Sequence, residues 1–327
     1  MKSYILAFVF FIQQFQFISA SEGDRSPFYQ KCVVNCKTDF CDKDGSSFKT
    51  SVVDELSIWS RMMWNCGDEC RYKCMWRTVQ GFQERGYAIP KFHGKWPFVR
   101  VLGIQEPGSA LASLLNLLAH VYMHLEIKRR FTIRSAPLVL FWHVFTAVCV
   151  NGWVWSTIFH TRDNPFTEFM DYASALSMVM ALFIAAIVRV FHRRRKMTIF
   201  MLVPPFMYYI DHVRYLYSGN IDYEYNMMIN VVFGAVGSLM WLGWAVLQYL
   251  AGRRHAWRVG VFTLLSGAAL SLELLDFPPK YNTWDAHALW HLATVPLPLL
   301  FYRFVIDDLY FLQGSRVSEK SDFNKLT

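Results

Sequence analysis

From residue 104 onward the chain carries seven apolar runs of about 20 residues each, the length at which a helix crosses a hydrocarbon layer ~30 Å thick. They cover roughly 106–126, 136–159, 171–191, 198–217, 226–249, 258–276 and 286–310. Lipid offers no hydrogen bonds to an exposed backbone, so such runs must be helices that pair their amides internally. The expected fold class is therefore all-α: a polytopic, seven-transmembrane-helix bundle with an N-terminal disulfide-rich lumenal domain. The fourth run is the weakest, interrupted by Pro204 and Pro205 and ending in Asp211, His212 and Arg214, so it should kink or face protein. A chain that is 54% hydrophobic and only 18% charged is neither a soluble globule nor a disordered segment.

The net charge of +8 does not point to nucleic acid, because the basic residues cluster in short connections between apolar runs. Lys128, Arg129, Arg130 and Arg134 follow the first run, Arg193, Arg194, Arg195 and Lys196 the third, and Arg253, Arg254 and Arg258 the fifth. The alternate connections hold only Arg162, Arg214 and Lys280. The positive-inside rule puts the first set in the cytosol, which makes the N-terminus lumenal and the C-terminus cytosolic. The implied order is a signal peptide over 1–20, a lumenal cysteine-rich domain over 21–103, the bundle over 104–312 and a cytosolic tail over 313–327.

Residues 1–20 have a lone Lys, an apolar stretch and small residues at Ser19 and Ala20, the layout of a secretory signal peptide; a retained anchor is the alternative. Six cysteines follow in two triplets, Cys32, Cys36 and Cys41, then Cys66, Cys70 and Cys74. In an oxidising lumen an even count suggests three disulfides, and the spacing of about one helical turn suggests two short helices stapled together. Fifteen connectivities stay open. A thiolate zinc site competes weakly, because the C-x2-C spacing is absent. Cys149, inside an apolar run, is expected as a buried free thiol.

Ionisable groups inside spans are costly and are candidates for function. Ser156 and His160 share one helix face near the end of the second run, Asp171 opens the third, and His287 and His291 open the seventh at the same four-residue spacing. All five fall near the lumenal surface. Three neutral imidazoles with an open fourth position form a catalytic zinc site, in which Zn2+ lowers the pKa of water and polarises a carbonyl. Asp171 would exchange a proton with water and leaving group, and Ser156 would donate a hydrogen bond to the oxyanion. The competing explanation is structural histidines. His120, His124 and His143, with Glu126 nearby, form a second cluster that reads as helix-packing hydrogen bonds. Asp163, Asp276 and Asp285 read as loop caps with at most supporting roles, and Trp153, Trp155, Tyr172 and Trp284 as interfacial anchors.

The motif STIFH carrying Ser156 and His160, then Asp171, then HALWH carrying His287 and His291, resembles the CREST superfamily of seven-helix hydrolases, which includes alkaline ceramidases and the progestin and adiponectin receptors. The segments CVVNC, WNCGDECRYKCMW, QEPGSALASLLNLLAH and LELLDFPPKYNTWDAHALWH narrow the resemblance to the Per-like family over roughly 28–313. That resemblance implies a carboxylic ester hydrolase with phospholipase A2-like activity, which removes the sn-2 unsaturated acyl chain from GPI-anchored proteins. It implies His160, His287 and His291 as zinc ligands, with Asp171 and Ser156 as catalytic residues. GPI-anchored proteins and their phosphatidylinositol lipid are the implied partners, and the cysteine domain is expected to bind the anchor's glycan or attached protein. The end NKLT has no dilysine signal, which favours the Golgi membrane over the endoplasmic reticulum. The rivals are a seven-helix receptor with a structural metal, a ceramidase-type amidase and a non-catalytic cargo factor.

Overall fold

A computed structural model describes residues 21–50 and 57–326, with side chains through residue 315, so the expected signal peptide lies outside the described residues. Two compact units emerge. One ends at Gly103 and takes in Asp222–Asn226; the other comprises Ile104–Ile221 and Met227–Thr327.

In the first unit α1 (Pro27–Phe40) starts with proline in its first turn behind a Ser26 cap, α2 is Ile58–Met63, and α3 is Cys66–Glu84. Asn65 caps α3 by accepting from the Asp68 amide, and Asp68 and Glu69 place negative charge at the positive end of that helix. Three disulfides join α1 and its end to α3: Cys32–Cys74, Cys36–Cys70 and Cys41–Cys66. The pairs are nested, first with last, as antiparallel helices require when cysteines recur about once per turn. All six thiols are thereby consumed, which removes the thiolate zinc alternative although Cys41, Cys66 and Cys70 lie close together. The buried cluster around them is small, with Tyr29, Val79 and Phe92 as its main apolar members, so cross-links replace the apolar burial that a domain of this size lacks. The Arg100 guanidinium lies over both the Trp64 and Tyr72 rings, 3.5 and 4.2 Å from their centres, and donates to Glu69 at 2.7 Å.

The second unit is a helical bundle: α4 (Pro107–Arg130), α5 (Val139–Thr161), α6 (Pro165–Val190), α7 (Arg195–Tyr217), α8 (Tyr223–Leu250), α9 (Trp257–Leu275), α10 (Ala286–Thr294) and α11 (Leu297–Leu326). Among the described residues six segments are long and apolar enough to span a membrane: α4, α5, α6, α8, Arg254–Leu275 and Ala286–Ser315. The protein is an all-α polytopic membrane protein. The weak fourth run does form a 23-residue helix with Pro204 and Pro205 inside it, but it is not among those six. The seventh run is two helices rather than one. Val295 donates to Leu292 O three residues back, and Pro296, which has no amide, prevents the α-helical ladder from continuing.

Helix α5 packs against both α4 and α6, while α10 packs against α4 and α9. That arrangement brings the end of the second run next to the start of the seventh. Towards the other end of the bundle an aromatic core joins Trp142, Trp241, Phe301 and Phe304. Beside it Arg189 forms a two-pronged ion pair with Asp308, at 2.5 and 2.7 Å, and His255 reaches the same carboxylate at 3.1 Å. Arg189 and Asp308 are both fully buried, and Trp244 lies 4.7 Å from the guanidinium carbon. Cys149 is buried as a free thiol.

Candidate active site

The site begins at the entry to α4. The backbone amides of Gln105 and Glu106 donate to the carbonyls of Thr161 and His160, both at 3.0 Å, which joins the start of α4 to the end of α5. Pro107 then opens the helix, and the Glu106 carboxylate, not used as a cap, turns to His160. Glu106 Oε2 lies 2.7 Å from His160 Nδ1, with both side chains buried.

Asp285 starts α10 by accepting from the Ala288 amide at 2.7 Å; burial is the main influence on this carboxyl and raises its pKa. The capping role expected of Asp285 is thus what the structure gives it. One turn apart on α10, His287 and His291 face the same way. Glu273 Oε2 of α9 lies 2.8 Å from His287 Nδ1, and Ser113 Oγ of α4 lies 3.0 Å from His291 Nδ1. The Asn116 amide donates to the His291 carbonyl at 2.8 Å and so clamps the backbone of α10 as well.

The three rings converge. One ring nitrogen from each of His160, His287 and His291 lies within 4.8 Å of the others. Ring centres are 5.2 Å apart for His160 and His287, 5.1 Å for His160 and His291, and 4.5 Å for His287 and His291. Each Nδ1 already faces an oxygen, so each Nε2 is left for something else. The His160 Nε2 is buried and meets no hydrogen-bond partner among the described residues. A buried polar atom of that kind needs a partner, and three imidazole nitrogens backed by oxygen acceptors are the donor set and supporting shell that divalent zinc takes. The residues present therefore fit a metal.

Ser156 Oγ lies 3.1 Å from Ser113 Oγ and is buried on the same face of α5 as His160. Asp171 is buried on α6, the helix packed along α5. The contacts that support the triad run through Glu106, Ser113 and Glu273, none of which the sequence singled out. A signal existed for part of this set: Ser109, Ser113, Asn116 and His120 recur at helical spacing within an apolar run, and all four are buried. Trp153, expected as an interfacial anchor, packs edge-on against His291 with ring centres 5.4 Å apart. The hydrogen bonds expected of the second histidine cluster are found for His120 alone, since the Nδ1 atoms of His124 and His143 are buried with no hydrogen-bond partner among the described residues. His120 Nδ1 bonds the Tyr302 hydroxyl at 3.1 Å, and the His124 and His143 rings meet edge to face.

Comparison with known proteins gives a consistent result. The model of the Per1-like family matches residues 57–309. The Drosophila melanogaster protein "Post-GPI attachment to proteins factor 3" is 43% identical over 296 residues, covering 89% of this chain and 90% of its own. The Danio rerio protein "GPI-specific phospholipase A2-like PGAP3" is 42% identical over 309 residues, covering 93% and 96%. The Homo sapiens protein of the same name is 39% identical over 313 residues, covering 93% and 94%.

Proposed function

The chain belongs to the Per1-like family, and on that premise we propose that it is a zinc-dependent ester hydrolase that removes the sn-2 unsaturated acyl chain from the phosphatidylinositol of GPI-anchored proteins. The site faces the lumen, following the charge asymmetry of the connections, and the membrane expected from the sequence is that of the Golgi apparatus. The observation that carries the reading is the convergence of three histidines from two helices, each with Nδ1 against an oxygen of its own.

His160, His287 and His291 would hold the ion, which when bound polarises an ester carbonyl and acidifies water. Glu106 and Glu273 accept from the Nδ1–H groups, which fixes those two rings in the tautomer that offers Nε2. Asp171 takes a proton from the attacking water and returns it to the leaving glycerol oxygen. Ser156 donates a hydrogen bond to the oxygen that becomes negative in the transition state. The apolar runs around the site provide the acyl chain with a medium like the one it leaves.

Asp171→Asn tests the assignment, because the amide keeps the shape and loses the basicity. Turnover of GPI lipid should fall about 10²–10⁴-fold while bound zinc, measured by metal analysis of the purified protein, stays at the wild-type level. In cells lacking the protein, mass spectrometry of GPI lipids should find unsaturated sn-2 chains retained. An unaltered sn-2 profile in those cells would rule out the remodelling role.

A further inference from the structure

The Ser113 hydroxyl touches two groups with different tasks, and it has a single proton to give. Its oxygen lies 3.0 Å from His291 Nδ1 and 3.1 Å from Ser156 Oγ, and neither serine is accessible to solvent to any useful extent: Ser113 is 0% and Ser156 4% exposed. Resting on the metal-centre reading above, we propose that Ser113 is a positioning residue that fixes the direction of the hydrogen-bond chain from His291 to Ser156, and so presents the Ser156 proton to the substrate.

The direction follows from proton counting. An imidazole that uses Nε2 as a ligand carries its hydrogen on Nδ1. His291 Nδ1 is then a donor, and Ser113 Oγ must accept from it. The Ser113 O–H is left over and donates to Ser156 Oγ. Ser156 in turn has no need to spend its own proton on Ser113, and this contact is the only side-chain hydrogen bond it makes among the described residues. Its O–H is therefore held ready for an oxygen acceptor entering the site. With the tautomer of His291 reversed, Ser113 would donate to His291, Ser156 would donate to Ser113, and nothing would remain for the substrate. The triad is also unequal. His160 and His287 are backed by carboxylates and His291 by an alcohol, so this one ring passes its polarity onward to a second side chain.

A double-mutant cycle on the full chain in detergent decides the matter, with zinc affinity measured by competition against a chromogenic chelator. Ser113→Ala should weaken zinc binding about tenfold, at the lower end of the 10–100-fold effect of removing a ligand's supporting partner. Ser156→Ala should leave zinc binding unchanged. In hydrolysis of GPI lipid at saturating zinc, Ser156→Ala should lower kcat about 10²-fold with little change in KM, and the double variant should be no slower than Ser156→Ala. Ser113→Thr keeps the hydroxyl and should recover zinc affinity. Unchanged zinc affinity in Ser113→Ala, a folded Ser113→Thr that does not recover it, or losses that multiply in the double variant would each overturn the proposal. A wild-type protein that binds zinc yet cleaves no GPI lipid overturns the esterase reading, while the zinc measurements still judge Ser113.

Discussion

Substituting His160 with alanine should remove zinc from the purified protein and abolish hydrolysis of GPI lipid. The His160 ring is 2% exposed, its Nδ1 is held by Glu106, and its Nε2 has no partner among the described residues, so the ring has one place to spend its second nitrogen. Three ligands are the minimum for a catalytic zinc, and two imidazoles hold the ion far more weakly. The expected fall in zinc affinity exceeds the roughly 10–100-fold drop for loss of a supporting partner. Glu106→Gln supplies that smaller step for comparison, because it keeps an acceptor oxygen and removes the charge. Metal content and a chelator titration measure both variants. A His160→Ala protein that melts like wild type and retains a full equivalent of zinc would show that the triad is not the ligand set.

Asp308→Asn lowers stability by about 3–5 kcal/mol, the usual loss when one partner of a buried ion pair is removed. The change leaves the Arg189 guanidinium charged and buried opposite a neutral amide, and it also weakens the bond from His255. Thermal unfolding in detergent reads the loss as a lower Tm. The double variant Arg189→Met and Asp308→Leu should recover most of it, because replacing both charges by apolar groups removes the desolvation cost together with the attraction. If Asp308→Asn melts within a degree of wild type, the pair does not hold α6 to α11.

How much of this was legible in the sequence depends on how far apart the interacting residues lie. Apolar length is a local property, and each run it picks out is helical, but Arg195–Tyr217 with its proline pair is not among the six segments apolar enough to span a membrane, and the seventh run is split in two. The His287 and His291 pair was visible because four residues make one turn. The partner of each ring was not. Glu106 is 54 residues from His160 and Ser113 is 178 residues from His291, and no spacing rule connects helices that meet only through packing. Glu273 is 14 residues from His287, but the turn-rich connection between α9 and α10 hides the approach. Cysteine pairing was likewise open until the antiparallel arrangement of α1 and α3 selected one of fifteen connectivities. Pro296 could be read in the seventh run, yet the apolar count there was long enough to mask the break it causes.

The two carboxylates behind three neutral rings have a further effect, on the choice of ion. The charge of the two carboxylates would favour a multiply charged cation over a monovalent one, which would leave excess negative charge in an apolar layer. The valence filter does not separate copper or nickel from zinc, and the Irving–Williams order works against zinc in the first of those contests. Rejection of those rivals would then fall to the supply of metal in the compartment.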